Sequence, residues 1–272
     1  MDRTYPVAFM THRGAVRAEN QDAVFAGGVV RIGDMDQPEL LEQKAMGPKV
    51  LEPNGLSRPL LLAVIDGMGG PKGGGLAARI IAETLAEESN GAFGPQFDPK
   101  EDELILRRML EKAESKMREE ARKNPELAGM GATMAGVLLR ETRALAFNCG
   151  DCRVYRLSGG EMERVTRDHS IVGALFEKGV IDEEQMREHP QKNIVTSAVS
   201  ADERERFELY VKGLSRCEGD SFFLCSDGVW EALSSQELAQ WLAQPFPSAA
   251  RELFDALIAA ECSDNVSFVW QA

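Results

Sequence analysis

Leu60-Leu-Leu-Ala-Val-Ile-Asp-Gly-Met-Gly-Gly70 carries the strongest structural signal in the chain. Its first six residues are apolar without alternation and of strand length, which predicts a central strand. The run then stops on an acid, Asp66, and Gly67 behind it lets the backbone bend closely around a ligand and expose its carbonyl. The same setting recurs twice. Asp227 ends Phe222–Cys225–Ser226 and is followed by Gly228, and Asp264 stands before Asn265 and the apolar run Val266–Trp270. One Asp-Gly after a strand is a common turn. Three such acids in one folded domain would repel one another without a cation. Oxygen donors suit hard ions such as Mg²⁺ and Mn²⁺. A metal centre is therefore the leading reading, with Asp66, Asp227 and Asp264 as inner ligands and the carbonyl of Gly67 as a neutral fourth. Asp22 and Asp151 are further candidates, and any one of the five acids is also readable as a turn former or helix cap.

Outward from that strand, Val7–Met10 and Ala23–Val30 read as strands, and 32–59 as a long polar surface loop. Leu76–Glu88 reads as a helix, and 91–99 as a linker. Leu106, Met109, Leu110, Ala113, Met117 and Ala121 form one stripe of an amphipathic helix whose apolar face packs on the core. Ala132–Leu139, Arg143–Asn148, Arg153–Leu157 and Met162–Val165 predict an antiparallel meander. Asp182 with Gln185, and Ser234 with Glu237, are capping boxes that open helices. Phe207–Val211 and Ser221–Cys225 read as strands, Ser248–Ala260 as the last helix, and Val266–Trp270 as a closing strand. Strict βαβ alternation is absent, which argues for an α+β layered architecture.

Composition narrows the function. The net charge of −13 opposes general nucleic-acid binding, which needs a positive field. It also sits badly with an anionic substrate unless bound cations dominate the pocket. No apolar run approaches the roughly 20 residues of a membrane span, and the N-terminus lacks the shape of a signal peptide. A cytoplasmic location is the expectation. Five cysteines, an odd number, read as reduced thiols. Cys149-Gly-Asp-Cys152 matches C-x-x-C but lies between two strand-like runs with no second pair nearby, which favours packing over redox or zinc chemistry.

Gly67–Gly75 fails both phosphate-loop patterns, because Lys72 follows Pro71 and precedes Gly73. His12 and His189 have no evident partners. His169 is readable as a proton donor or as a structural hydrogen-bonding residue. No G-x-S-x-G elbow appears, so water is favoured as nucleophile over a side chain. Arg17, five residues before Asp22, is readable as an anion-gripping fork or as a salt-bridge partner of Glu19 or another acid.

In order, Gly14-Ala-Val-Arg17-Ala-Glu-Asn-Gln-Asp22, Val64-Ile-Asp66-Gly-Met-Gly-Gly70, Met130-Gly-Ala-Thr133, Asn148-Cys-Gly-Asp151-Cys-Arg153-Val-Tyr, Val165-Thr-Arg-Asp168-His-Ser170, Leu224-Cys-Ser-Asp227-Gly and Ser263-Asp264-Asn265-Val resemble segments of the metal-dependent type 2C protein phosphatases, in their bacterial form. The resemblance spans nearly the whole chain. It implies a four-layer α-β-β-α sandwich with two central antiparallel sheets, forming a single domain over 1–272 with a mobile flap at about 171–202. It implies that Asp66 bridges two Mn²⁺ or Mg²⁺ ions and Gly67 lends its carbonyl. Asp227 and Asp264 then supply the other carboxylates, Asp22 holds a metal-bound water, and Asp151 serves a third, weaker metal. Arg17 corresponds to the phosphate-gripping arginine. The implied reaction is hydrolysis of phosphoserine and phosphothreonine in proteins, by direct attack of a metal-bridging hydroxide. The implied partners are phosphoproteins and a Ser/Thr protein kinase, and the protein is expected to be a monomer. Several positions depart from the family pattern. Gln21 stands where some members have an acid, and Met68 where animal members carry a histidine proposed as general acid. Glu231 stands where many have Asp near the third metal, Gly75 where an acid is common, and Ser200 at a usual glycine after the flap.

Overall fold

The computed structural model describes residues 6–41, 59–70, 72–94, 96–204 and 206–272. The apolar run at Leu60 forms β5 (Leu60–Met68), and its lack of alternation has a direct cause: both faces are buried. Leu60, Leu62 and Val64 face one core, while Leu61, Ala63 and Ile65 face another. β5 pairs with β2 (Ala23–Ala26) on one side and β6 (Gly131–Leu139) on the other. That sheet is completed by β3 (Val29–Ile32), β7 (Arg143–Cys149) and β11 (Tyr210–Ser215), in the order β11-β7-β6-β5-β2-β3, with the short β10 (Val199–Ser200) also on β6. The second sheet contains β1 (Val7–His12), β4 (Glu39–Leu41), β8 (Arg153–Ser158), β9 (Glu161–Arg164), β12 (Ser221–Cys225) and β13 (Val266–Gln271), in the order β4-β1-β13-β12-β8-β9. All the strand pairs are antiparallel.

The two cores define four layers. Helices α1 (Gly74–Glu88) and α2 (Pro99–Lys123) cover the outer face of the first sheet through Ile81, Leu85, Leu106, Leu110 and Met117. The inner faces of both sheets share the other core, as Leu62 and Val137 do with Phe9 and Phe268. The helices α6 (Ser235–Leu242) and α7 (Ser248–Ala259) contribute Leu238, Leu253 and Leu257 to it from the second sheet's side. The expected α+β sandwich with two antiparallel sheets is thus what the chain adopts. Both capping boxes are present: Asp182 caps α4 (Glu183–Glu188) and Ser234 caps α6. The stripe from Leu106 to Met117 lies on the core, and Ala121 packs against its edge.

Four expectations need correction. Ala23–Val30 is not one strand but the β2–β3 hairpin, turning at Gly27 and Gly28, whose φ values of 56° and 97° are left-handed. The meander over 132–165 divides into two hairpins, β6–β7 and β8–β9, in different sheets. The chain crosses between them at Cys149–Cys152, because each hairpin buries its own face in a different layer. Phe207 and Leu209 are buried but precede β11, so their alternation reports burial rather than pairing. Asp227 does not end in a loop but opens α5 (Asp227–Ala232). Most of the expected 32–59 loop lies outside the described residues, and its described part includes edge strand β4.

A buried ion pair fastens α2 to the end of β6. Both guanidinium nitrogens Nη1 and Nη2 of Arg140 donate to Asp102 at 2.8 Å, with side chains only 7% and 3% exposed. Removing one member leaves a buried charge alone, which costs about 3–5 kcal/mol. Asp102→Ala is therefore expected to lower urea-unfolding stability by about that amount, and Asp102→Ala with Arg140→Met by much less.

Candidate metal centre

Strand register gathers the acids at one end of the sandwich. In the first sheet, Ala23 at the start of β2 pairs with Ile65 near the end of β5, and Asp66 itself pairs with Thr133 near the start of β6. In the second, Cys225 ending β12 pairs with Arg153 opening β8 and with Phe268 near the start of β13. Asp22 directly precedes β2, Asp151 precedes β8, Asp227 follows β12 and Asp264 precedes β13. Asp66, Asp151, Asp227, Asp264, Gly67 and Arg17 accordingly line one cleft of about 480 Å³. Asp22 is buried behind it, and its charge is felt by both Asp66 and Asp227. The two Asp-Gly pairs are there for close approach. A side chain on Gly67 would collide with the carbonyl oxygens of Gly74 and Gln21, and one on Gly228 with that of Asn265.

Electrostatically the site is strained. Burial, then repulsion from Asp227, Asp22, Asp151 and Asp264, holds the Asp66 carboxyl well above the usual range. Burial, then Asp151, Asp264 and Glu231, does the same to Asp227. Burial pushes Asp151 up to about 7, with Asp168 adding to it. Burial also pushes Asp22 up to about 7, against hydrogen bonds from Ser267 and Ser226 that pull it down. Oδ1 of Asp22 is buried with no hydrogen-bond partner, an unusual condition for a buried carboxylate oxygen. Among the described residues, no three acidic, histidine or cysteine side chains are drawn together as a finished ligand cage.

Arg17 pairs with one of these acids. Its Nη2 donates to Asp264 Oδ2 at 2.5 Å, while its side chain is 53% exposed at the cleft. Of the acids that the salt-bridge reading left open, the partner is Asp264 at the cleft rather than Glu19. His169 sits outside the cleft lining. Its Nδ1 accepts from the Gly150 N–H at 3.1 Å and burial lowers its pKa, which makes it structural. His12 and His189, read as partnerless, each accept a backbone hydrogen bond, from Gly14 and Gln191. Cys149 and Cys152 are buried free thiols, beside Ser197 and Thr133 respectively. Met68 lies in the cleft lining and is exposed.

Two contributors had no role assigned from sequence. Asn265 clamps the segment that carries Arg17 and Asp22. Its Nδ2 donates to the carbonyls of Arg13 and Glu19 at 3.1 and 3.0 Å, and its Oδ1 accepts from Gln21 N–H at 2.8 Å. Ser226 donates to Asp22 Oδ2 at 2.9 Å and accepts from Ser267 N–H at 3.1 Å. Asn265 directly follows Asp264 and Ser226 directly precedes Asp227, and an amide or hydroxyl beside each acid was the available signal. Around Asp151, Trp230 Nε1 donates to its carbonyl at 3.0 Å, and the Arg153 guanidinium lies 3.7 Å from the Trp230 ring while binding Asp168.

A sequence profile of the family described as Protein phosphatase 2C matches residues 54–265. The serine/threonine protein phosphatase PstP of Mycobacterium tuberculosis is 27% identical over 263 residues, covering 96% of this chain. The chain spans only 44% of that relative's length. The serine/threonine phosphatase stp of Listeria monocytogenes is 26% identical, with 86% of this chain and 81% of stp covered. Among solved structures, M. tuberculosis PstP/Ppp superposes with a TM-score of 0.77 at 26% identity, covering 98% of each chain. Stp1 of Staphylococcus aureus gives 0.76 at 25% identity, over 100% of this chain and 96% of that one. The PstP catalytic domain in complex with two manganese ions shares the fold at a TM-score of 0.75 and 24% identity, over 98% of this chain and 97% of that one.

The raised carboxyls set a pH dependence. An unfolded aspartate titrates near 3.8, whereas Asp22 and Asp151 titrate near 7 when folded and Asp66 and Asp227 well above 3.8. Between about pH 4 and 7 the folded chain binds more protons than the unfolded one, so stability falls as pH rises through that window. In excess chelator, Tm is expected to drop by about 5 °C or more from pH 5.5 to pH 8. Added Mn²⁺ is expected to raise Tm more at pH 8 than at pH 5.5. Differential scanning calorimetry checks both, and a flat Tm in chelator contradicts the electrostatic account.

Proposed function

The chain belongs to the protein phosphatase 2C family, and from that premise we propose that it is a metal-dependent protein serine/threonine phosphatase acting on phosphoserine and phosphothreonine in proteins. The observation that carries the proposal is the single cleft in which carboxylates from remote parts of the chain repel one another beside Arg17. The donor set fits Mn²⁺ or Mg²⁺: it is all oxygen, and Asp22 keeps a buried oxygen without a hydrogen-bonding partner. Asp66, Asp227, Asp264 and the Gly67 carbonyl would hold two ions, Asp22 would stand behind them, and Asp151 would serve a third. When bound, such ions supply an activated water as nucleophile and neutralise charge on the phosphoryl group.

The chain's own residues do the rest. Arg17, exposed on the cleft and paired with Asp264, can present its planar fork to phosphoryl oxygens. Asn265 fixes the segment that carries it, so its guanidinium approaches from one direction. Among the described residues, no serine or cysteine with an adjacent base stands in the cleft lining, so no covalent intermediate is invoked. His169 is turned to Gly150, which leaves solvent to protonate the departing serine oxygen.

The wider reading follows from the same chemistry. A phosphoprotein substrate needs a Ser/Thr protein kinase that made it, and this is the partner we assign. Five unpaired thiols fit a reducing, cytoplasmic setting. Among the described residues no helix is long and apolar enough to cross a membrane. We assign residues 1–272 to one phosphatase domain that works as a monomer, with about 171–202 as its flap. Support for one domain comes from β1 pairing with β13 across the whole length of the chain.

The test is turnover of p-nitrophenyl phosphate, a phosphopeptide and a nucleotide, with Mn²⁺ and with excess chelator. Activity is expected on the first two and only with metal. Asp66→Asn and Asp227→Asn are expected to retain no more than about a hundredth of it. Arg17→Ala is expected mainly to raise KM, by about ten- to a hundredfold. Full turnover in chelator, or a preference for the nucleotide, overturns the assignment.

A further inference from the structure

Part of the cleft wall comes from a segment that follows α4. Asn193 and Val195 line the cleft, and they belong to this segment, which returns from α4 toward β10. The backbone fastens the base of this segment. Ser170 bridges to Val195, Ile171 N–H donates to the Ile194 carbonyl at 3.0 Å, and Thr196 N–H donates to the His169 carbonyl at 2.7 Å. Its far end is held by Met186, which is buried against the Arg153 guanidinium. Between these anchors lies the turn 189–193, closed by its own local hydrogen bonds: Lys192 N–H to the His189 carbonyl at 3.1 Å, and Ile194 N–H to the Gln191 carbonyl at 3.1 Å. Local turns of this kind open readily unless something outside holds them.

What holds this one is Lys192. Its Nζ donates to Glu231 Oε2 at 2.5 Å, and the two side chains are 30% and 11% exposed. Glu231 stands one helical turn after Asp227 on α5, and its charge adds to the repulsion felt by Asp227 and by Asp151. A cavity of about 220 Å³ runs beside the pair and shares Asp264 with the main cleft. The ammonium therefore offsets a carboxylate next to the acidic centre and at the same time pins the wall. With the turn pinned, Ile194 is left 45% exposed beside the two wall residues, and Met68 contributes a second exposed apolar group to the cleft. A polypeptide flanking a phosphorylated residue can use such apolar surface, whereas a small phosphate ester cannot reach it.

We propose that Lys192 is a positioning residue that ties residues 193–195 to α5 through Glu231, and that this fixed wall sets the preference for polypeptide over small phosphate esters. The kinetic half rests on the phosphatase assignment above, while the structural half does not.

Hydrogen exchange at the Lys192 and Ile194 amides, in protein stripped of metal, reads the tie directly. Lys192→Met and Glu231→Gln are each expected to speed exchange at both amides by about tenfold. Lys192→Arg is expected to restore protection, which a loss of general packing would not. With Mn²⁺, Lys192→Met is expected to raise KM for a phosphothreonine peptide by roughly fivefold. Its KM for p-nitrophenyl phosphate is expected to stay within about twofold of the parent. Unchanged exchange in Lys192→Met and Glu231→Gln overturns the tie. Equal shifts of KM for both substrates overturn the specificity role. A parent protein that hydrolyses neither substrate defeats the phosphatase assignment, and the exchange result still decides the tie on its own.

Discussion

Carboxylates that repel one another have been brought to one end of a rigid sandwich, and everything around them follows from that repulsion. Asp66, Asp151, Asp227 and Asp264 face one cleft with Asp22 behind, and removal from water, nearly complete for Asp22 and Asp151 and partial for the others, makes each encounter more costly. Ordinary packing does not collect like charges in this way. The chain tolerates them because each is carried at a strand end or helix start whose position is set elsewhere. β5 is buried on both faces, and β12 and β13 are buried along nearly their whole length.

Relief comes in graded forms. Neutral donors act first: Ser226 and Ser267 on Asp22, and the Asn265 amide on the backbone of the neighbouring loop. Fixed cations act next, with Arg17 on Asp264 and Lys192 on Glu231. Arg153 neutralises Asp168 in full burial and stacks on Trp230, whose indole holds the Asp151 carbonyl. The charge that remains unanswered is concentrated on Asp66 and Asp227, and it is there that divalent cations and a phosphoryl group would contribute the most. Arg17 is a counter-ion to Asp264 while about half of its side chain stays exposed at the cleft.

Much of this was legible in the residues. The unbroken apolar run at Leu60 reported a doubly buried strand because no face of it is wet. The two capping boxes reported helix starts because their hydrogen bonds are local. The failures were non-local. Nothing between Cys149 and Cys152 says that the chain changes sheets there, since a crossing and a hairpin turn need the same small residues. Phe207 and Leu209 alternate like a strand because they are buried on one side, and pairing starts only at Tyr210. α5 is too short for its periodicity to be seen, so Asp227 read as a loop residue. The histidines read as partnerless because their partners are backbone N–H groups, which carry no sequence signal.

By itself the sequence determined which oxygen donors the chain carries, where the capping boxes open helices, and the order of the segments that resemble a phosphatase. Those are properties of residue type and of short-range pattern, and they survive without knowledge of the fold. Only the tertiary structure decided which acids share a cleft, that Arg17 faces Asp264 across 247 residues of chain, and that Lys192 meets Glu231. The physical reason is that strand register and inter-sheet packing set these distances. Both arise from burying two cores at once, a constraint summed over the whole chain rather than written at any one position.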